Sequence, residues 1–456
     1  MSEADAAHSG GLRLGFRPCP HEELLLLCMR AVRDPRQEAH LNDLMARPDL
    51  DWTRFWALAD EQEVQPLAAR VLIEHGWDMP PPEAARTYAR TIRLRTLAAN
   101  LSMAAELERI AQTLHRCGIP VVPLKGVHLA RRLYGGLDAR RIGDIDVLAP
   151  EERLEEARAA VRSLGYRLYE GTSHGAAEHT FHGVPFVREA AGVQFVLELH
   201  WGLTDPRFAT IDYGELWRRV LSYSPERDAL RPLPIEETLL YLALHLPKHP
   251  TGVLRLLADI DRLLRKEAGG LDWGYVLQQA GRWSVTTLLY FALVRCRMLL
   301  DTPVPSGVLE ACRPPRWRRA LVGALTAPRA VMRPSTQGPT RYSRSQLAYC
   351  AMIDPLERCL RAYREYLFLP AQRDDTQAQD RVLGAVETVS RGLARTALAV
   401  GSVMIQRWNE PQASAACRAP ASEAPQNHGH LELVNQCADV PPHSTAPLEQ
   451  VRVTRS

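Results

Sequence analysis

Two aspartates separated by a single residue, Asp144 and Asp146, are the strongest candidates for chemistry in this sequence. They lie in the apolar run 142–149, which predicts a β-strand, and alternate residues of a strand point to the same face. Two neighbouring carboxylates repel each other, and a divalent cation with oxygen ligands removes that repulsion. Because such pairs are common, a solvated turn or an exposed strand face is the competing interpretation.

A second predicted strand, 193–200, contributes a third acid. Its odd-numbered positions are all apolar, whereas Glu198 and His200 alternate with them and belong to the opposite face. Three carboxylates from two strands could hold two divalent ions, as in-line attack on a phosphate requires. We therefore predict that Asp144, Asp146 and Glu198 are catalytic metal ligands. His200 is either a partner of this site or a polar residue on the open face.

A candidate phosphate-binding turn precedes the aspartates. Lys125 and Gly126 lie where a short apolar run passes into a predicted helix. Glycine lets the backbone approach a phosphate, and the start of a helix offers free N–H groups. Arg140 and Arg141, just before the acidic strand, could hold phosphate oxygens or could be surface arginines. Lys125 could equally be a solvent-facing lysine.

The elements that must position these residues form an α+β pattern, with a small mixed sheet between helical regions. The helix with the clearest periodicity ends near Gly118, and Pro120 and Pro123 favour an edge strand after it. Its apolar stripe is Leu94, Leu97, Leu101, Ala104, Leu107, Ile110 and Leu114. The predicted organisation is a flexible N-terminus (1–20), a helical region (21–117), the sheet-containing core (118–205), a second helical region (206–408) and a disordered tail (409–456).

The composition indicates a soluble globular protein, since 46% of the 456 residues are hydrophobic and 24% are charged. A net charge of +3 gives no reason to expect a nucleic-acid partner. Nine scattered cysteines without a C-x-x-C pair predict reduced thiols. No signal peptide is recognisable, and no apolar run reaches the roughly 20 residues of a membrane helix. We expect a cytoplasmic protein without a membrane partner.

Other polar residues have simpler structural interpretations. Arg255 and Asp259 are one helical turn apart and predict a surface ion pair. His245 is expected to pack or cap a helix rather than to act as a catalytic base. Three further histidines have a spacing that suits a loop and a strand edge better than a zinc site: His174, His179 and His182.

The motifs occur in an order and spacing that resemble a bacterial family of uncharacterised nucleotidyltransferases in the polymerase-β-like superfamily. They are Leu124-Lys125-Gly126, Leu133-Tyr134, Arg141, Gly143-Asp144-Ile145-Asp146-Val147, Gly165-Tyr166 and Glu198-Leu199-His200-Trp201. The resemblance covers about 21–370, including His245 and the segment 255–259. It implies Mg²⁺ as cofactor and an NTP as donor, with Arg141 at a family position. The chain departs from the wider superfamily by having Lys125-Gly126 where Gly-Ser or Gly-Gly is usual, and Glu198 where many members have Asp.

Three functions are compatible with this pattern. The first is transfer of a nucleoside monophosphate from an NTP to a hydroxyl acceptor by a two-metal mechanism. The resemblance implies a setting in natural-product or polysaccharide biosynthesis. The second is a non-catalytic module that binds a nucleotide or a biosynthetic partner, and the third is a phosphotransferase that passes on the γ-phosphate. The first function releases pyrophosphate, the second releases no product, and the third releases ADP.

Overall fold

The computed structural model of the chain combines helices with one five-stranded mixed sheet, which confirms the predicted α+β class. It describes residues 17–75, 81–169, 182–223, 229–246, 253–325 and 348–361. The predictions for 1–16, for the second helical region beyond 361 and for the tail at 409–456 lie outside these residues. Among the described helices, none is long and apolar enough to cross a membrane.

Five helices precede the sheet. They are α1 (Pro20–Met29), α2 (Pro35–Met45), α3 (Trp52–Glu61), α4 (Gln65–Glu74) and α5 (Glu83–Arg116). The long helix α5 ends at Arg116, two residues before Gly118 as predicted, and the amide of Ile119 donates to the carbonyl of Leu114 at 3.0 Å. The predicted apolar stripe is wrong in its first half, because Leu94 and Leu101 are exposed. Before the stripe begins, α5 buries the small residues 85 and 89.

The sheet has the spatial order β1-β2-β5-β4-β3. Its strands are β1 (Val122–Pro123), β2 (Ile145–Leu148), β3 (Arg167–Leu168), β4 (Gly183–Ala190) and β5 (Val193–His200). Only the β2–β5 pair is parallel among the described strands. Strand β1 lies at an edge, as its proline predicts. Helix α6 (Val127–Tyr134) follows β1, and α7 (Leu154–Ser163) follows β2 after a short 3₁₀ turn (Glu151–Arg153). Strand β2 is shorter than predicted and begins after Asp144.

The two faces of the central strands differ as the sequence pattern predicts. Four apolar side chains of β2 and β5 join a buried cluster with residues of α5 and α7: Ile145, Val147, Leu197 and Leu199. The opposite face carries Asp146, Glu198 and His200, because side chains alternate along a strand. The sheet is therefore sealed by apolar packing on one side and presents its acids on the other.

The chain continues as a second set of helices. They are α8 (Tyr213–Tyr223), α9 (Ile235–His245), α10 (Val253–Lys266), α11 (Trp273–Arg282), α12 (Thr286–Leu300), α13 (Ser306–Ala311) and α14 (Arg316–Leu325). Helices α9 and α10 lie in the predicted second helical region and are buried over most of their length. Two acids of α10, Asp259 and Asp261, are themselves fully buried. Such groups need partners on other elements.

The thiols of the described residues do not all match the prediction of a reduced protein. Six are free: Cys28, Cys117, Cys296, Cys312, Cys350 and Cys359. Cys19 is disulfide-bonded, so the prediction is wrong at that residue. The cytoplasmic location stays a prediction.

Candidate functional site

The parallel pairing of β2 with β5 brings two of the three predicted acids side by side. Asp146 is the register partner of Glu198, and Leu148 is the partner of His200. Register partners on adjacent strands point to the same face. One oxygen of each carboxylate and one ring nitrogen of His200 all lie within 4.8 Å of one another. The structure thus assembles a compact group of Asp146, Glu198 and His200 that could hold a metal ion.

His200 joins the two carboxylates. Its Nε2 lies 3.2 Å from Asp146 Oδ1 and 3.2 Å from Glu198 Oε2. Carboxylates only accept, so this nitrogen carries the hydrogen. The ring lies over Gly183, where an added Cβ would be 2.5 Å from Nδ1, and it stacks on His182 with ring centroids 5.4 Å apart. Burial lowers the pKa of His200, but hydrogen bonds to the two carboxylates outweigh burial and raise that pKa above its usual value.

Lys125 holds the other oxygen of Asp146. Its Nζ lies 3.2 Å from Asp146 Oδ2 and 3.1 Å from His245 Nε2, and its side chain is only 9% exposed. An ammonium group only donates, so Nε2 of His245 accepts. Lys125 is therefore not a solvent-facing lysine. His245 packs on the ring of Tyr241, with ring centroids 5.5 Å apart, and also contacts Lys125. Its assignment as a packing residue and phosphate binding by Lys125 both stay predictions.

Gly126 forms the turn between β1 and α6. Its backbone has φ +60° and ψ −123°, a conformation that residues with a side chain rarely adopt. An added Cβ would lie 3.6 Å from the carbonyl oxygen of Asp144, so the turn runs against the acidic segment. The first N–H groups of α6 have no partner within the helix. Together with Lys125, this turn supplies positive potential next to the carboxylates.

Asp144 lies just before β2 and is partly buried. Burial and the neighbouring Asp146 raise the pKa of Asp144 to about 6, with Lys125 acting in the opposite direction and Glu198 adding to the rise. Burial also raises the pKa of Asp146, but Lys125 and His200 outweigh burial and hold it well below its usual range. Asp146 is thus a carboxylate at neutral pH. Asp144 interacts electrostatically with the compact group but is not one of its three members.

Arg140 and Asp259 form a buried support next to this segment. The guanidinium donates to the carboxylate from Nε at 3.0 Å and from Nη2 at 2.9 Å, and the Tyr134 hydroxyl donates to the same carboxylate at 2.7 Å. Arg255 instead pairs with Glu63 at 2.7 Å. The predicted Arg255–Asp259 surface pair is therefore wrong. Helix α10 is buried, so each of the two residues finds its partner on another element.

Arg141 has an exposed side chain, and its Nη1 lies 3.3 Å from Asp60 Oδ1 on α3. The guanidinium of its neighbour Arg140 is buried in the pair with Asp259. Of these two arginines, Arg141 is therefore the one that a ligand could reach. Its contact with phosphate stays a prediction. Of the three histidines discounted as a zinc site, His182 lies beside His200, whereas 174 and 179 lie outside the described residues.

A family model described as "Uncharacterised nucleotidyltransferase" matches residues 48–301, more than half of the 456 residues. The chain belongs to this nucleotidyltransferase family. No curated protein and no solved structure matches it. The match extends from α3 to the end of α12, so every site residue of this nucleotidyltransferase described above lies inside it, including Lys125 and His245.

Proposed function

We propose that this nucleotidyltransferase transfers a nucleoside monophosphate from an NTP to a hydroxyl acceptor and depends on Mg²⁺. The observation that best supports this proposal is the register of β2 and β5, which pairs Asp146 with Glu198 next to the Lys125-Gly126 turn. In a purely structural sheet, two acids held opposite each other would only repel and destabilise the pairing. The motif resemblance favours a peptide natural product or a polysaccharide precursor as the acceptor.

The carboxylates fit a divalent ion. Asp146 Oδ2 is buried, and the Lys125 ammonium group lies 3.2 Å from it and supplies the positive charge beside it. Oxygen donors suit Mg²⁺, so Asp146 and Glu198 would hold it, with Asp144 adding a further carboxylate. His200 already donates to both carboxylates, and we assign it to orienting them. When bound, the metal supplies positive charge that stabilises the phosphates and activates the acceptor hydroxyl.

The exposure of each residue suggests whether it would contact the donor NTP or the acceptor hydroxyl. The Asp146 side chain is fully buried, whereas that of Glu198 is 40% exposed. An acceptor entering from solvent therefore reaches Glu198 first, which suits a role at the attacking hydroxyl. The donor triphosphate would lie on the Lys125-Gly126 side, where an ammonium group and free helix N–H groups are available. Arg141 would add a guanidinium at the exposed rim.

The test compares two matched substitutions, Asp146→Asn and Asp49→Asn. Asp49 is 63% exposed and pairs only with Arg47 among the described residues, so its variant controls for loss of one charge. Binding of Mg-NTP to the full chain should fall in Asp146→Asn and stay unchanged in Asp49→Asn. With each NTP and candidate acceptors, wild type should release pyrophosphate.

The other outcomes identify the competing functions. Tight Mg-NTP binding by Asp146→Asn would contradict the assignment of this carboxylate. ADP in place of pyrophosphate would indicate a phosphotransferase. Binding without any release, across all four NTPs and a broad set of acceptors, would indicate a non-catalytic nucleotide-binding module.

A further inference from the structure

A cavity of about 360 Å³ lies apart from the carboxylate site, between the end of α1 and helices α4, α6 and α10. None of the acids of the candidate site lines it. Four arginines reach it: Arg30, Arg33, Arg70 and Arg262. The one carboxylate in its lining, Glu74, is already paired with Arg70 and Arg93. Arg33 is paired with Glu38 and Arg70 with Glu74, so the excess positive charge of the cavity comes mainly from Arg30 and Arg262.

Two of these arginines are held in fixed positions. Arg70 Nη1 donates to the carbonyl oxygen of Tyr134 at 2.6 Å, and Arg262 Nη1 donates to that of Met29 at 2.9 Å. The guanidinium of Arg262 also lies 4.7 Å from the centre of the Tyr134 ring. These contacts use part of each guanidinium and leave further N–H groups. Donors that are already fixed lose little freedom when a ligand binds.

The positive charge of Arg30 is poorly balanced by nearby carboxylates. Its side chain is 18% exposed, and its Nε is buried without a hydrogen-bond partner. Among the described residues its ion pair is with Asp301, at 3.8 Å, and that carboxylate is 64% exposed. Burial lowers the pKa of Arg30, with the carboxylates nearby acting in the opposite direction. A buried donor without an acceptor is unfavourable, and an oxyanion in the cavity would relieve it.

We propose that this cavity binds a small molecule carrying a phosphate group, at a site distinct from the carboxylate site. The phosphate would interact with Arg30, Arg70 and Arg262, which come from α4, α10 and the end of α1. Donors that converge from three elements suit a tetrahedral dianion better than a planar carboxylate, which one guanidinium fork can satisfy. Leu67 and Leu133 provide an apolar wall for the rest of the ligand, and the volume lies within the range of small-molecule sites.

The probes are inorganic phosphate and phenyl phosphate, titrated calorimetrically into the full chain in the presence of a chelator. Arg30→Gln should weaken phosphate binding at least about tenfold, because a charge-assisted contact is lost. Arg54→Gln is the matched control, since Arg54 is 75% exposed on α3. It should bind as wild type does. Phenyl phosphate should bind more tightly than inorganic phosphate, because its ring would cover the apolar wall.

Two further variants make the result specific to this cavity. Lys125→Met should keep wild-type phosphate affinity, because Lys125 belongs to the other site. Arg262→Gln should show the same weakening as Arg30→Gln and carries the test if Arg30→Gln does not fold. The proposal is overturned if wild type shows no saturable binding, if the cavity variants bind normally, if Lys125→Met loses the binding, or if acetate competes as well as phosphate. These results are independent of pyrophosphate release, so the proposal stands or falls separately from the proposed enzyme activity.

Discussion

Replacing Asp259 with Asn should remove the charge on which a buried guanidinium depends. Arg140 is 1% exposed and Asp259 is fully buried, and the pair is joined by hydrogen bonds of 2.9–3.2 Å. An Asn side chain accepts through only one oxygen and brings an NH₂ group towards donors, while Arg140 keeps its charge. We expect the free energy of unfolding to fall by about 3–5 kcal/mol, the range for a buried pair that loses one partner.

Urea unfolding followed by circular dichroism measures this loss from the transition midpoint and slope. Asp60→Asn is the matched control, because its partner Arg141 is exposed, and it should change stability by less than about 1 kcal/mol. The double substitution Arg140→Met with Asp259→Leu should recover most of the loss, since it leaves no buried charge. If Asp259→Asn proved as stable as Asp60→Asn, the Arg140–Asp259 pair would not support the fold.

Three other substitutions test the site itself. Glu198→Gln should keep most of the NTP affinity but lower pyrophosphate release at saturating NTP by about 10²–10⁴-fold, and wild-type turnover would remove Glu198 from the mechanism. Lys125→Met should weaken the binding of a fluorescent NTP analogue more than it slows turnover, and an unchanged dissociation constant would argue against a donor role. Gly183→Ala places a Cβ within 2.5 Å of His200 Nδ1, so the ring must shift. We expect weaker divalent-ion binding by calorimetry there, whereas Gly281→Ala, which meets nothing within 4 Å, should bind normally; equal affinities would show that the position of His200 is unimportant.

The alternation of residue types in the sequence predicted the faces of β2 and β5. Strand β5 has the predicted limits, and its apolar positions 195, 197 and 199 pack in the cluster with α5 and α7, whereas Val193 is exposed. The register could not be predicted, because the pattern within one strand does not specify which residue of a distant strand lies opposite. The pairing of Asp146 with Glu198 is therefore known only from the structure.

The side-chain partners that the sequence did not predict are tertiary contacts. Four-residue spacing suggested that Arg255 pairs with Asp259, yet both turn to partners on other elements. A signal was present, since Asp259 lies in the middle of an apolar run where an acid must find a buried partner. His245 lies 120 positions from Lys125, and helical periodicity cannot reveal contacts at such separations.

The parallel pairing of β2 and β5 also has a consequence for how the chain folds. Parallel neighbours cannot be joined by a tight hairpin, so the chain must cross over through α7 before β5 can dock beside β2. Pairings between residues far apart in sequence form slowly, because their loop-closure entropy is lost before they contribute stability. We therefore expect Asp146 and Glu198 to meet late in folding. An incompletely folded chain would therefore carry both acids without the assembled group that we propose for a divalent ion.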